Sequence, residues 1–224
     1  LFYKQLLEER SDVLRELELG NSENIGKISR YSEPVNDYVK FLNSISDRSK
    51  GLTELDIYKK LDAELKEILG GEVIIDLEGN IMFRMNEKKI IDIGMVSSTV
   101  KTLTGFYLYL KYFAMERDII FIDEIELNLH PENQRKIIKL INYLSKQGIK
   151  FIISTHSPII TEEIDNMLLF EKVKDKINSE EMKEYGINSE YGLKTSDINV
   201  FHLHNKTVEK IKEKNGEFEI ETFN

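Results

Sequence analysis

The sequence predicts an α/β protein: a partial parallel sheet with flanking helices, an added helical layer and β-hairpins. Two apolar runs carry the parallel sheet, Ile119-Ile120-Phe121-Ile122 and Lys150-Phe151-Ile152-Ile153. Between them lies one amphipathic segment, opened by Pro131, closed by Gly148 and carrying Ile137, Ile138, Leu140, Ile141 and Leu144. Strand, helix, strand at that spacing is a βαβ unit, whose strands run parallel and end at one edge. The helical layer is read from apolar residues at helical spacing before Gly70-Gly71, and the hairpins from short β-rich runs parted by turn residues.

Taken in order, residues 1 to about 20 read as a charged helix with Leu6, Leu7, Leu14 and Leu17 on one stripe, ended by Gly20. A polar loop follows, and Pro34 opens a helix bearing Val35, Tyr38, Val39 and Leu42. A third helix, 53–69, carries Leu55, Tyr58, Leu61, Leu65 and Leu69. Val73–Leu77 and Ile81–Phe83 make a hairpin around Glu78-Gly79-Asn80. After Ser97 and Ser98 a helix rich in Leu, Tyr and Phe runs to about Glu116, its tyrosines read as core. The two apolar runs read as strands buried on both faces. Met167–Phe170 suggests a further strand, 171–196 a helix and loop, and Val200–His204 with Val208–Ile211 a second hairpin. Asn215-Gly216 sets up another turn.

The chain has 224 residues, a net charge of −9 and no cysteine. Disulfide scaffolds, thiolate nucleophiles and Cys-ligated zinc are therefore excluded, and a reducing, cytoplasmic setting is expected. The acidic balance does not indicate DNA binding. No apolar run approaches the roughly 20 residues of a membrane-spanning helix.

The chemistry collects at the carboxyl ends of the two apolar runs. Asp123-Glu124 follow the first directly, and Thr155-His156-Ser157 follow the second after Ser154. Parallel strands bring these to the sheet edge where open α/β folds bind ligands. Two adjacent carboxylates without a basic partner in sequence are costly to bury. A divalent cation held by one of them, with the other orienting water, removes that cost. Four apolar residues followed by Asp-Glu are the pattern of a Walker B motif.

On these residues the chain resembles ABC-type ATPases of the OLD and RecF-like group, AAA-family ATP-binding proteins with a P-loop NTPase fold. The run Ile-Asp-Glu-Ile-Glu-Leu-Asn-Leu-His-Pro-Glu-Asn-Gln at 122–134 is similar to that group's Asp-Glu-Pro-Glu, Leu-His-Pro and Gln signature, and Ile153–Pro158 is similar to its switch-histidine loop. The resemblance implies ATP and Mg²⁺: Asp123 holds the metal through its water shell, Glu124 polarises the attacking water, and His156 contacts the γ-phosphate. It makes Leu127–His130, with Asn128 and His130, the loop at a homodimer interface. Ser97 and Ser98 become the signature serines that reach the partner's nucleotide. Thr99 and Thr102 stand where the group has a small and an acidic residue, and Ile125 replaces its commoner Pro. In these terms residues 1–71 are a helical lateral region, 72–170 the C-terminal half of an ATPase core, and 171–224 an α/β extension.

A phosphate-cradling loop is missing. The nearest stretch, Gly20–Ser29, has five residues between glycines, puts Ile28 after the Lys, and follows a charged helix where a strand is required. The expectation is a piece of a longer ATPase, inactive alone, with Lys150–Ile153 left as an apolar edge. The coupled activity, a nuclease or other effector, then lies on a partner or in other sequence. The alternative is a non-catalytic dimerisation module derived from an ATPase. A metal-dependent hydrolase built on Asp123, Glu124 and His156 lacks a closer ligand set.

Plainer roles stand beside these. Ser97 and Ser98 suit helix capping, and His130 suits a helix start before Pro131. Glu126 and Glu132 either join the acidic rim or, more plainly, read as surface acids; Lys206–Lys214 reads as a solvated hairpin, and His202 with His204 as too few ligands for zinc.

Overall fold

A computed structural model describes Phe41 and residues 56–76, 80–178, 180, 182, 190–204, 206–214 and 217–218. The expected helices at 1–20 and from Pro34, the rejected glycine-rich stretch and the Asn215-Gly216 turn lie outside the described residues.

Helix α1 (Asp56–Leu69) buries Leu61, Leu65, Ile68 and Leu69. Gly70 at φ 68° ends it in the left-handed conformation that glycine adopts without penalty. Gly71 is required for a different reason: a Cβ there would lie 2.6 Å from the Arg84 carbonyl oxygen and from the Phe83 ring. The chain then enters a three-stranded antiparallel sheet of β1 (Glu72–Ile75), β2 (Ile81–Asn86) and β3 (Lys89–Asp92). The hairpin read from sequence is present, with Val73 opposite Phe83. Its third strand was not foreseen, because Ile90-Ile91 is too short a run to show a period. The Lys88 amide donates to Asn86 Oδ1 at 3.0 Å and turns the chain into it.

Helix α2 (Ser98–Tyr112) stops short of the expected Glu116, and Tyr107, Leu108 and Leu110 are core as anticipated. The Tyr107 hydroxyl donates to Asp62 Oδ1 at 2.5 Å, and Lys66 Nζ lies 2.5 Å from Asp62 Oδ2. Partial burial alone would raise the Asp62 pKa, but the hydrogen bonds from Lys66 and Tyr107 prevail and hold it below the ordinary carboxylate value. A carboxyl whose pKa is lower folded than unfolded adds stability above its unfolded pKa, and loses it as pH falls through the folded one. Thermal melts of the chain between about pH 6 and about pH 2.5 should therefore fall more steeply for wild type than for Asp62→Asn. Parallel curves would contradict this role.

The second layer is β4 (Ile119–Ile122), α3 (Pro131–Lys146), β5 (Lys150–Ile153) and α4 (Pro158–Val173). Strands β4 and β5 pair in parallel, with Ile119 opposite Lys150 and Ile122 opposite Ile153. Helix α3 packs on β5, α4 and α1. Its Ile137 and Leu140 are completely buried. Two expectations are corrected here. Met167–Phe170 is not a strand but the end of α4, whose buried Ile160, Ile164, Met167 and Leu168 recur at helical spacing. The four-residue window was too short to reveal that period. Nor are β4 and β5 covered on both faces: Ile119, Phe121 and Ile152 are exposed at 55%, 72% and 54%. The described residues pack on the face bearing Ile120, Ile122, Phe151 and Ile153.

Past α4 the chain returns across the helices. Asn142 Nδ2 donates to the carbonyls of Tyr191 and Gly192 at 3.0 and 3.3 Å, and the Leu193 amide donates to the Met167 carbonyl at 3.1 Å. The second hairpin forms as expected from β6 (Val200–His204) and β7 (Thr207–Ile211), with Leu203 opposite Val208. Lys206, Lys210 and Glu209 on it are exposed. His202 and His204 sit with ring centroids 5.5 Å apart. Among the described residues no group of three or more His, Asp and Glu could hold a metal, and no helix is long and apolar enough to cross a membrane.

Candidate functional site

The parallel register decides which side chains meet. Because Ile122 lies opposite Ile153, the next residues, Asp123 and Ser154, leave their strands side by side. The Ser154 hydroxyl donates a short hydrogen bond to Asp123 Oδ1 and accepts the Glu124 amide at 2.9 Å. The Ser154 carbonyl accepts the Ile125 amide at 3.4 Å. One serine thus ties both strand ends together and supports Glu124, whose φ of 47° lies in the left-handed region. Such a conformation costs of order 1–3 kcal/mol in a non-glycine residue and persists only where neighbours hold it.

The loop after Glu124 is a compact turn. Leu127 and Leu129 donate their amides to the carbonyls of Glu124 and Glu126 at 2.8 and 2.9 Å, and Asn128 is also left-handed, at φ 60°. Asn128 lies against the start of α2. Its carbonyl accepts the Thr99 hydroxyl at 2.6 Å, and its Nδ2 donates to Thr102 Oγ1 at 3.1 Å. The two threonines that depart from the expected signature pattern are therefore the residues that hold this loop. Ser97 caps α2, its side chain accepting the Val100 amide, and Ser98 is the first helical residue. His130 caps α3, with Nδ1 accepting the Glu132 amide at 3.4 Å, and Pro131 fills the first turn, where no amide donor is needed.

On the second strand, Thr155, His156 and Ser157 form the turn into α4. Ser157 is buried; its hydroxyl accepts the Ile159 amide at 3.2 Å as helix cap and donates to Gln134 Oε1 at 2.6 Å. Gln134 Nε2 donates in turn to the Leu129 carbonyl at 3.0 Å. Glu126 was expected to be a surface acid, and this is corrected. Its Oε1 accepts the His156 amide at 2.6 Å and its Oε2 the Thr155 hydroxyl at 2.7 Å. Glu132 does face solvent, paired with Lys136 at 2.9 Å.

The structure therefore brings Asp123, Glu124 and His156 to one rim, with the Ser97-Ser98 turn joined to the same loop through Thr99 and Asn128, while His130 ends that loop as the cap of α3. Asp123, Glu124 and His156 are all exposed. Contrary to the expectation of buried charge, water solvates these carboxylates and burial does not call for a neutralising cation. A hard-oxygen site still fits Mg²⁺: Asp123 spends Oδ1 on Ser154 and keeps Oδ2, and Mg²⁺ characteristically takes one or two carboxylates, several waters and substrate phosphates. Ser154, Glu126 and Gln134 stand inside the sequence motifs, but the contacts they make are not readable from them. The strand register supplies the signal for Ser154, because it forces position 154 beside 123.

Residues 6–162 match the family model described as an AAA domain, putative AbiEii toxin, type IV toxin–antitoxin system. The chain belongs to this family. Its fold is accordingly the α/β P-loop NTPase class expected from sequence. A probable ATPase of the Escherichia coli retron Ec83 is 46% identical over 48 residues, covering 21% of this chain and 9% of that protein. The chain thus spans a small part of that relative's length. Among solved structures, one from work on ATP-driven dimerisation and DNA-stimulated activation of SMC ATPases gives a TM-score of 0.43 at 13% identity, covering 80% of this chain and 89% of that one. The SMC head domain from Thermotoga maritima gives 0.35 at 19% identity, covering 55% and 44%.

Proposed function

We propose that this chain supplies the hydrolytic rim of a dimerising ABC-type ATPase that drives an attached activity. The observation that supports this best is the parallel β4–β5 register, which delivers Asp123-Glu124 and Thr155-His156 to one end of one sheet and stitches them through Ser154. In this reading Glu124 takes the proton of a water that attacks the γ-phosphorus. The bond to the β,γ-bridging oxygen then breaks, and ADP leaves with that electron pair. His156 donates a hydrogen bond to the γ-phosphate oxygens as charge builds there. Asp123 holds Mg²⁺, whose chemistry when bound is to neutralise the phosphate charge. Asn128 and His130 line the protomer interface, and Ser97 and Ser98 contact the partner's nucleotide from a helix start, where free amides favour anions.

No glycine-rich loop followed by Lys and Ser or Thr occurs in the 224 residues, so the phosphate cradle comes from other sequence. The toxin–antitoxin description of the family supports a toxin-type effector as the coupled activity. Mg-ATP titration tests the division of labour: the 224 residues alone should bind at least about 100-fold more weakly than the full-length protein and hydrolyse none, a loss of about 2.7 kcal/mol. Equal tight binding by the isolated chain would sink it.

A further inference from the structure

Both oxygens of Glu126 are committed to the switch loop, one to the His156 amide at 2.6 Å and the other to the Thr155 hydroxyl at 2.7 Å. Thr155 Oγ1 in turn accepts the Ser157 amide at 3.0 Å. The backbone on either side of His156 is therefore fixed, while its exposed imidazole takes no hydrogen bond from the described residues. Glu126 is itself anchored: its carbonyl closes the turn with the Leu129 amide, and it follows Ile125, which is buried at 5% exposure. Hydrogen bonds to an ionised carboxylate are shorter and roughly twice as strong as neutral ones.

We propose that Glu126 is a positioning residue, whose carboxylate locks the Thr155-His156 backbone to the Asp123–His130 loop and so aims the imidazole at the γ-phosphate. This rests on the nucleotide reading above. It also means that a shift of the Asp123–His130 loop, which Asn128 ties to α2, reaches the His156 amide directly through Glu126, beside the links made by Ser154 and Gln134.

The test compares wild type, Glu126→Ala, Glu126→Gln, His156→Ala and the Glu126→Ala/His156→Ala pair in the full-length protein. Glu126→Ala should lower kcat roughly 10- to 100-fold, the scale of a 1 Å misplacement, with KM for ATP within about twofold. Glu126→Gln, which keeps an acceptor for the His156 amide, should recover most of that turnover. Once His156 is gone, removing Glu126 should cost little more. Unchanged kcat in Glu126→Ala, or losses that multiply in the pair, would overturn the proposal.

Hydrogen exchange at the His156 amide gives a readout free of turnover. Exchange at least about tenfold faster in Glu126→Ala, in a variant whose melting matches wild type, supports the lock, and equal exchange overturns it. Should the wild-type protein fail to hydrolyse ATP, the nucleotide reading falls, and the exchange comparison still decides whether Glu126 holds the loop.

Discussion

Glu124→Gln in the full-length protein should lower kcat for ATP hydrolysis by about 10²- to 10⁴-fold, the usual contribution of a positioned general base, while Mg-ATP still binds. The substitution is well suited to its purpose. Gln matches Glu in shape, and the contact that places residue 124 is its backbone amide on Ser154 Oγ at 2.9 Å, which the change does not touch. Only the proton-accepting oxygen is lost. An ATPase that separates its protomers on hydrolysis should then accumulate as an ATP-bound dimer, visible as a doubled mass with nucleotide retained. A scaffold that merely dimerises should show neither trapped nucleotide nor a change in mass.

The second large effect is on stability. Glu163 is 3% exposed and gathers three donors: Arg135 Nη1 at 3.1 Å, Lys139 Nζ at 3.3 Å and the Tyr191 hydroxyl at 2.7 Å. Burial, reinforced by the bond to Glu163, pushes the Tyr191 hydroxyl pKa above its ordinary value, so it stays a donor at any working pH. Glu163→Ala would leave that half-buried hydroxyl without its acceptor. Breaking a fully buried pair costs about 3–5 kcal/mol. Arg135 and Lys139, at 37% and 45% side-chain exposure, can turn to water instead. Roughly 2–3 kcal/mol is the discounted expectation, or a fall in Tm of about 4–12 °C for a domain of this size. Glu163→Gln, which keeps an acceptor for Tyr191, should lose less than half of that. An unchanged Tm for the alanine variant would contradict the role. The cluster also joins α3 to α4 just beyond Gln134 and Ser157, so loosening it should reach the rim.

Much of this was legible in the sequence, for reasons that differ by residue. Ile119–Ile122 and Lys150–Ile153 were readable as parallel strands because a capped amphipathic helix of the right length separates them. Their parallel pairing fixes where Asp123 and His156 emerge. The helix caps His130-Pro131 and Ser157-Pro158 are local chemistry and were equally plain for His130. Exposure was not legible: an apolar run looks the same whether one face is covered or two, and Phe121 at 72% exposure is decided by what packs on it. Glu126 and Gln134 escaped because their partners lie 30 and 23 residues away in sequence, at His156 and Ser157. The signature marks both positions, but a partner that is a distant backbone amide or hydroxyl is not written beside them. The Thr99 and Thr102 departures from the signature pattern have a structural use that the chain does not announce, since each holds Asn128.

In the proposed function Glu124 and His156 work on one bound nucleotide. Single-turnover hydrolysis of bound Mg-ATP in the full-length protein, with Glu124→Gln, His156→Ala and both together, tests it most directly. Each single change should nearly stop hydrolysis with ATP still bound, and the double variant should be scarcely slower than the slower single. Hydrolysis of bound ATP at the wild-type rate by His156→Ala, or penalties that simply multiply, would contradict it.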